Sequence, residues 1–334
     1  MKLKNSFFLA VFALLFHLSC GGDDTPSNTR AANFEFFWNT IDREYSYFEL
    51  KGLDWDAIRS EYEPQFTETM TATQFRDVFN EIIQRIGDGH TGFRTSSGFI
   101  AYSINRGTVD NSAVNLASYI TNTTTNNSRL IIGDIAGKNV KYIAVRSLSG
   151  DTDNAANTPL YESVNNLNDY DGLIIDLRNN GGGNDAIAKR FVEGFADQTR
   201  LFRRFRFREP ATRNSFTAWT DNQLVPNNSV NFTKPIVLLT NRNVVSSAEG
   251  FSLMLRSLPN VTHLGDTTAG STGNPGLFEM PNGWELLVSR WQVTDPEGNY
   301  VEDRGLAPDE VVWITEQDRN AGRDTILEAA IDRF

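Results

Sequence analysis

The sequence predicts an α/β protein whose N-terminal part is helical. Apolar residues recur every three to four positions between residues 33 and 86, the period of an amphipathic helix. After residue 140, short β-branched runs alternate with helical stretches, which is typical of a parallel or mixed sheet covered on both faces. With 334 residues, of which 40% are hydrophobic and 22% charged, the chain can bury a substantial core.

Three helices are predicted in an N-terminal cap, residues 33–90. They cover the stretches FEFFWNTIDREYSYF, WDAIRSEYEPQF and TATQFRDVFNEIIQRI. The third stretch begins at Thr71 and has Gln74 three positions later, the spacing of a capping box at a helix start. The remaining residues, 91–334, are assigned to an α/β domain that the cap packs on.

Periodicity also predicts the elements of the α/β domain. Residues 91–139 are predicted to be rich in loops, with NTTTNN as a turn. Strands are predicted at VKYIAVRS, DGLIIDLR and KPIVLLT, and helices near residues 155–168 and from about 246 to 258. Residues 278–294 are predicted to form a hairpin that turns at 281–283.

The first 32 residues are predicted to lie outside the folded domain. MKLKNSFFLAVFALLFHLSC contains two lysines, an apolar run that is short for a membrane span, and Leu-Ser-Cys. This pattern predicts a lipoprotein signal peptide over residues 1–19, with Cys20 as the lipidated first mature residue. Residues 20–32 are interpreted as a flexible tether. Asp23 and Asp24 favour an outer-membrane anchor, with the domain facing the periplasm or the cell surface.

Charge and residue counts argue against several functions. A formal net charge of −11 makes nucleic acid an unsuitable partner. Cys20 is the only cysteine, so neither a disulfide framework nor a thiolate metal site is expected. Once the leader is removed, only His90 and His263 remain, and there is no HExxH motif. A metal hydrolase is therefore a remote alternative, and neither a metal nor a cofactor is predicted. His263 lies in the strand-like run VTHLG, where a packed or solvent-facing role is expected.

Three stretches carry residues suited to chemistry, each at a predicted strand or helix end. In DLRNNGGGN, residues 176–184, consecutive glycines let backbone amides approach a ligand. LLTNRNVVSSAEGF, residues 238–251, would present a serine at a helix N-terminus, where N–H groups favour an oxyanion. IGDGHTGF, residues 86–93, carries His90 just after the last cap helix. Taken singly, each has an ordinary alternative: a glycine turn, a serine N-cap or a structural histidine.

Together these stretches resemble the carboxyl-terminal processing and tricorn-core serine peptidases. DLRNNGGG is similar to the family's strand-to-glycine turn, and SSAE is similar to its nucleophile signature, a serine with a glutamate three positions later. That spacing identifies Ser246, with Glu249 completing the signature. The resemblance covers most of the chain from about residue 33 to 315. It implies a crotonase/ClpP-like spiral ββα catalytic domain with the helical cap in front.

Departures from the family pattern indicate the tricorn-like branch without a PDZ module. Processing peptidases use a lysine in the glycine-rich segment after the nucleophile helix, but that position is Ser271 here, and no lysine follows Lys234. GDGHTGF resembles the histidine motif of the tricorn-like branch, which implies that His90 is the general base. The serine that precedes the histidine in that branch is Gly89 in this chain. Residues 95–165 are too short for a PDZ module and lack its carboxylate-binding loop.

The resemblance implies acyl-enzyme chemistry on a peptide bond. The hydroxyl of Ser246 would attack while His90 accepts its proton and later returns it to the leaving amine. The branch's late glutamate matches Glu302, and the neighbouring Asp303 is the alternative. The backbone amides expected to hold the tetrahedral oxyanion are those of Gly182 or Gly183, together with Ser247.

The predicted function is a membrane-tethered serine peptidase that acts on a peptide or protein substrate. In the run LFRRFRFREPATR, Arg204 and Arg206 are candidates for binding a carboxylate, although a strand with a solvated face is an equally good interpretation. The alternative function is non-catalytic binding of an apolar ligand or a peptide on the same scaffold, as in interphotoreceptor retinoid-binding protein of this family. A His90 ring beyond reach of Ser246, across an apolar cavity, would favour that alternative.

Overall fold

The computed structural model describes residues 28–104, 107–227, 230 and 232–334. The predicted signal peptide, Cys20 and most of the predicted tether lie outside the described residues. The first helix begins at Arg30, so the tether prediction runs too far at its C-terminal end. Thr29 caps this helix, because its side chain accepts a hydrogen bond from the Ala32 N–H. No helix within the described ranges is both long and apolar enough to cross a membrane.

The described part of the chain contains eight α-helices and fourteen strands. The helices are α1 Arg30–Glu44, α2 Trp55–Tyr62, α3 Ala72–Ile86, α4 Thr158–Glu162, α5 Asp185–Val192, α6 Ser247–Arg256, α7 Glu316–Asn320 and α8 Thr325–Ile331. The strands are β1 Gly92–Thr95, β2 Gly98–Ala101, β3 Ile120–Asn126, β4 Leu130–Ile135, β5 Val140–Val145, β6 Gly172–Asp176, β7 Arg200–Phe207, β8 Thr220–Leu224, β9 Ile236–Thr240, β10 Val261–Gly265, β11 Pro275–Glu279, β12 Glu285–Ser289, β13 Trp291–Thr294 and β14 Glu310–Val311.

Helices α1 to α3 form the predicted cap, and the capping box at the start of α3 is confirmed. Their shared core is aromatic: the rings of Trp38 and Trp55 stack with centroids 3.8 Å apart. The same core includes Phe93 from β1 and Trp284, whose rings stack 5.2 Å apart. The cap therefore packs directly on the four-stranded sheet β11-β12-β1-β2, and the predicted boundary at residue 90 does not separate two cores.

A seven-stranded sheet in the order β14-β10-β9-β6-β5-β4-β3 forms the centre of the α/β part. Strands β10, β9, β6 and β5 pair in parallel, and β4 and β3 continue antiparallel. Leu173 and Ile175 of β6 face the core under α5 and α6, whereas Ile174 faces the core under α8. The sheet is thus covered on both faces, which confirms the predicted α/β class. A third sheet, β13-β7-β8, adjoins it.

The prediction that residues 91–139 are mainly loops is wrong, because β1 to β4 lie there. NTTTNN, predicted as a turn, belongs to β3 except for its last residue, Asn127. This edge strand is mostly exposed, and its pairing with β4 shifts register between Thr121 and Thr125. Polar residues on an exposed, irregular edge strand give no alternating pattern, so the periodicity that revealed the other strands is absent. The predicted hairpin turn at residues 281–283 is confirmed, and it joins β11 and β12. The hairpin ends at Ser289, because residues 291–294 form β13 and pair with β7 in another sheet.

Candidate active site

Ser246 lies at the turn between β9 and α6, beyond the carboxyl ends of the parallel strands. Its backbone has φ 62° and ψ −129°, a conformation that costs a residue with a Cβ about 1–3 kcal/mol. Hydrogen bonds on both sides hold this turn: the Ser246 N–H donates to the Ser271 carbonyl over 2.9 Å, and the Val245 N–H donates to the Asn180 carbonyl over 3.1 Å. Strain of this kind persists only where the surrounding structure fixes it, and it is frequent at functional sites.

Glu249 explains the three-residue spacing in SSAE. It is fully buried one turn along α6, so its carboxylate reaches back to the start of the helix and across to the loop after β10. Four groups donate to it: Thr268 Oγ1 at 2.6 Å, Gly270 N at 2.7 Å, Ser271 N at 2.9 Å and Ser246 N at 3.3 Å. Burial raises the pKa of Glu249 to about 7, and these donors oppose the rise. The carboxylate ties the loop after β10 to the candidate nucleophile.

The glycine-rich loop after β6 passes directly beside Ser246. A Cβ on Gly182 would lie 2.8 Å from the Ser246 Cβ, so only glycine leaves room for the serine. The Gly182 N–H donates to Asn180 Oδ1 over 2.9 Å and is not a free oxyanion donor, contrary to one of the two predicted options. The N–H groups of Gly183 and Ser247 have no acceptor among the described residues, and both residues line the same cavity. Gly183 and Ser247 therefore stay the candidate donors.

A buried ionic network fixes the start of the glycine-rich loop. Asp176 at the end of β6 accepts two hydrogen bonds from the Arg178 guanidinium, at 3.0 and 2.8 Å, and Arg178 also donates to Asp324 over 2.8 Å. All three side chains are fully buried. Burial alone would raise the pKa of Asp176, but the Arg146 and Arg178 guanidinium groups hold it below its usual value. The bidentate pair holds the loop rigidly against the sheet.

His90 follows α3 in a tight turn. Asp88 Oδ1 accepts the backbone N–H of His90 over 2.7 Å, the turn role expected for an aspartate at this position. The ring Nδ1 lies 2.7 Å from Ser271 Oγ, and the Ser271 carbonyl accepts the Ser246 N–H. Ser271 thus contacts both residues, the His90 ring through its hydroxyl and Ser246 through its carbonyl. No hydrogen bond joins the His90 ring directly to the Ser246 hydroxyl. Burial lowers the pKa of His90, and the charge of Asp88 opposes that shift.

Of the two predicted acidic candidates, Glu302 faces the site. Its side chain is 1% exposed, whereas that of Asp303 is 49% exposed and pairs with Lys51 over 2.5 Å. Glu302 Oε2 accepts from the Thr272 N–H and hydroxyl at 2.8 and 3.1 Å, one residue beyond the serine that contacts the His90 ring. Burial, and after it the charge of Asp88, raises the pKa of Glu302 well above its usual value. Glu302 is connected to His90 only through Thr272 and the neighbouring Ser271.

A cavity of about 490 Å³ opens beside Ser246. The Arg203 guanidinium forms one wall, where it pairs with Asp185 over 2.6 Å and lies 4.8 Å from the centroid of the Trp291 ring. Trp291 and Leu253 add apolar surface. The cavity is in the size range of sites that bind small ligands or a few side chains, and its walls are partly ionic.

The predicted arginines Arg204 and Arg206 do not line this cavity. Arg204 donates to Asp221 Oδ1 over 2.9 Å, and Arg206 donates to Gln292 Oε1 over 2.8 Å. Both lie on one face of β7, because alternate residues of a strand share a face. Arg203, on the opposite face, is the arginine of this run that lines the cavity. The alternation of Phe and Arg predicted a strand with two different faces, but nothing in the sequence showed which face lies against Ser246.

His263, the other histidine of the described chain, has a packed role. It is fully buried in β10, with Nε2 2.7 Å from Thr240 Oγ1, and burial lowers its pKa to about 3. Within the described ranges, no group of three or more His, Cys, Asp or Glu side chains lies close enough to hold a metal ion. The site offers a hydroxyl and two free amides at one cavity, and an imidazole connected to the hydroxyl-bearing residue through Ser271. These are the groups that acyl transfer requires.

Comparison with known proteins agrees with this geometry. The profile of peptidase family S41 matches residues 139–312, just over half of the chain, and that of the tricorn protease C1 domain matches residues 26–84. A carboxyl-terminal-processing protease from Synechocystis is 26% identical over 206 residues, which are 59% of this chain and 44% of that protein. The chain thus spans less than half the length of this relative.

Two solved structures share the fold. A candidate peptidase from Parabacteroides merdae is 28% identical, with a TM-score of 0.82, over 92% of this chain and 97% of its own. A lipoprotein from Streptococcus agalactiae is 19% identical, with a TM-score of 0.59, over 94% and 98% of the two chains, and supports the fold alone. Because the family profile covers more than half of the sequence, the chain belongs to peptidase family S41.

Proposed function

We propose that the protein is a serine peptidase in which Ser246 is the nucleophile and His90 the general base. The observation that carries this proposal is the position of Ser271, which accepts the backbone N–H of Ser246 and contacts the ring of His90. Ser246 also lines a cavity together with Gly183 and Ser247, whose amides are free. A serine hydroxyl beside two amide donors, with an imidazole to accept its proton, is the arrangement of acyl-transfer enzymes.

The mechanism follows from these positions. A serine hydroxyl is a weak nucleophile until a base takes its proton, and a neutral His90 is suited to that task because burial disfavours its charged form. The Gly183 and Ser247 amides would hold the oxyanion of the tetrahedral intermediate, where one donor contributes about 2.7–4 kcal/mol. His90 then returns the proton to the leaving amine, and water releases the acyl group. This mechanism requires the ring and the Ser246 hydroxyl to come into contact when substrate binds, and catalytic hydrogen bonds often tighten only in such a complex.

Glu302 acts at one remove from this chemistry. It holds the Thr272 backbone and hydroxyl, and so fixes the segment that carries Ser271 against His90. Its negative charge, when present, also favours the imidazolium that forms during attack. Asp303 points outward to Lys51 and is not assigned a part in the reaction.

Binding of an apolar ligand on the same scaffold is the second candidate function. The cavity beside Ser246 argues against it, because the Arg203–Asp185 ion pair forms part of the wall and Asn184 and Asn274 also line it. An apolar ligand there would bury charged and amide groups without giving them partners, which costs free energy. A peptide backbone and its side chains can satisfy such groups.

Membrane tethering through Cys20 is proposed from the sequence motif, with the domain anchored to a bacterial outer membrane and facing the periplasm or the surface. Growth with a labelled fatty acid tests this proposal. The full chain is expected to incorporate label and to fractionate with outer membranes, whereas Cys20→Ser is not. Label in the Cys20→Ser chain, or its absence from the native chain, would reject the lipidation site.

The peptidase proposal is tested by active-site labelling and hydrolysis. A fluorophosphonate probe is expected to label the native protein, and a quenched-fluorescent peptide library is expected to be cleaved. Ser246→Ala should abolish both. Ser257→Ala is the matched control, because its hydroxyl only donates to the Met254 carbonyl near the end of α6. A folded native protein that neither takes up the probe nor cleaves any library peptide would overturn the proposal.

A further inference from the structure

The ring of His90 is held by a hydroxyl that belongs to a distant part of the chain. Ser271 Oγ lies 2.7 Å from His90 Nδ1, across a sequence separation of 181 residues. Ser271 is 1% exposed, so no water competes freely for the contact. We propose that Ser271 is a positioning residue for His90, a proposal that rests on the proposed function. Its hydroxyl takes the place of the one that the tricorn-like branch has on the serine before the histidine, where this chain has Gly89.

Steric crowding disfavours side chains at positions 89 and 271 together. A Cβ built on Gly89 would lie 3.1 Å from Ser271 Oγ, so side chains at 89 and 271 reach into the same space beside the ring. The same Cβ would lie 2.5 and 2.7 Å from Cδ1 and Cγ1 of Ile104. A serine before the histidine would therefore collide with both neighbours. This crowding, and not the backbone conformation, favours glycine at position 89, since the φ of Gly89 is not among the positive values of the described residues.

Backbone contacts fix where the Ser271 hydroxyl stands. The Ser271 N–H donates to Glu249 over 2.9 Å, and the Ser271 carbonyl accepts from the Ser246 N–H over 2.9 Å. The next residue, Thr272, donates its N–H to Glu302 over 2.8 Å. All these bonds use the backbone of Ser271 and Thr272, so replacing the Ser271 side chain leaves them in place. The hydroxyl is held between the candidate nucleophile and the acidic residue.

The contact determines which ring nitrogen can accept a proton. When Nδ1–H donates to Ser271 Oγ, the lone pair of Nε2 is free to take the Ser246 proton. The bond persists when the ring becomes an imidazolium, because Nδ1–H is present in both forms. Asp88 forms no hydrogen bond with the ring: its Oδ1 accepts the backbone N–H of His90, and its buried Oδ2 has no hydrogen-bond partner in the described structure. Without the hydroxyl, Nδ1–H lacks an acceptor, which disfavours both the useful tautomer and the imidazolium.

The first test is Ser271→Ala. A buried donor without a partner is expected to lower kcat/KM roughly ten- to hundredfold, mainly through kcat, because substrate does not contact this hydroxyl. The acid limb of the kcat/KM profile should move to lower pH, since the imidazolium loses an acceptor while Asp88, whose charge also acts on the ring, stays in place. A native rate and an unshifted pH profile would overturn the proposal.

The second test moves the hydroxyl to the other position. Ile104→Ala makes room, so the triple variant G89S/I104A/S271A is compared with the double variant I104A/S271A. The triple variant is expected to recover at least tenfold in kcat/KM and to restore the pH limb. If both variants fold and the triple variant shows no recovery, the positioning role is wrong.

A third readout separates this proposal from the proposed function. The pKa of the His90 ring, followed by NMR with His263→Gln to assign the signals, does not require turnover. Ser271→Ala is expected to lower that pKa. If the native protein is inactive but the shift is seen, peptidase activity fails while the contact stands; if the native protein is active and no shift is seen, the contact fails.

Discussion

The strained backbone of Ser246 leads to a prediction in which an inactivating change stabilises the protein. Ser246 has φ 62° and ψ −129°, a region that glycine enters readily and residues with a Cβ do not. Ser246→Gly and Ser246→Ala both remove the hydroxyl and abolish activity. Only Ser246→Gly also removes the Cβ and relieves the strain.

The magnitude follows from two opposing terms. Relief of the strain is worth about 1–3 kcal/mol, because the hydrogen bonds at Asn180 and Ser271 keep the turn in place in either variant. Glycine gives the unfolded chain more freedom than alanine, which costs about 0.5–1 kcal/mol. Ser246 is only half-buried, so loss of its Cβ removes little packing. Ser246→Gly is therefore expected to exceed Ser246→Ala in unfolding free energy by about 1 kcal/mol.

Equilibrium unfolding in urea measures this difference. Both variants should share the m-value of the native protein, and the midpoint of Ser246→Gly should lie above that of Ser246→Ala. A matched pair at Ser257, in an αR conformation at the end of α6, is expected to show the reverse order, because glycine there relieves nothing. A Ser246→Gly midpoint at or below that of Ser246→Ala would show that the turn is not strained.

Three further predictions concern the groups around Ser246. Glu249→Gln should lower the free energy of unfolding, measured in urea, by about 3 kcal/mol, because the new NH₂ group must face two of the four donors that the carboxylate now accepts from. An unfolding free energy equal to that of the native protein would refute the bracing role. The kcat/KM should rise with pH through a midpoint below the usual histidine value of about 6.5, because only neutral His90 accepts a proton and burial lowers its pKa; a midpoint above 7 would contradict this. Asp185→Asn leaves Arg203 without its ion partner. The ratio of kcat/KM for substrates with an acidic side chain next to the cleaved bond to kcat/KM for neutral substrates should therefore rise roughly tenfold. An unchanged ratio would place Arg203 outside the subsite.

Elements with strong periodicity could be predicted from the sequence, and irregular ones could not. The amphipathic pattern and the Thr71–Gln74 capping box located the cap helices, and the buried runs of β5, β6 and β9 located the parallel strands. Strands β1 to β3 were missed because β1 and β2 are four residues long and β3 is polar and exposed. Strand β4, LIIGDI, is a mostly buried apolar run that the sequence interpretation assigned to a loop-rich region. Propensity and pattern act locally, whereas these strands form because a neighbouring strand is available for pairing.

The candidate site, too, could be predicted only where the signal is local in the sequence. The resemblance to the family's nucleophile signature identified Ser246 and Glu249, whose spacing of three residues is almost one helical turn. The contact between Ser271 and the His90 ring joins segments 181 residues apart, and only the fold could reveal it. The sequence did locate position 271 as the place where processing peptidases carry a lysine. It gave no indication of which group a serine there would face.

The Ser-x-x-Glu signature is best understood as a brace that links two loops. Glu249 is fully buried, touches neither His90 nor the free amides, and accepts hydrogen bonds from the start of its own helix and from three groups of the loop after β10. That loop carries Ser271 to the imidazole. A glutamate one turn into α6 thus fixes the distance between hydroxyl and base through rigid backbone contacts. Any substitution that loosens this brace should impair proton transfer even though the substituted side chain never meets the substrate.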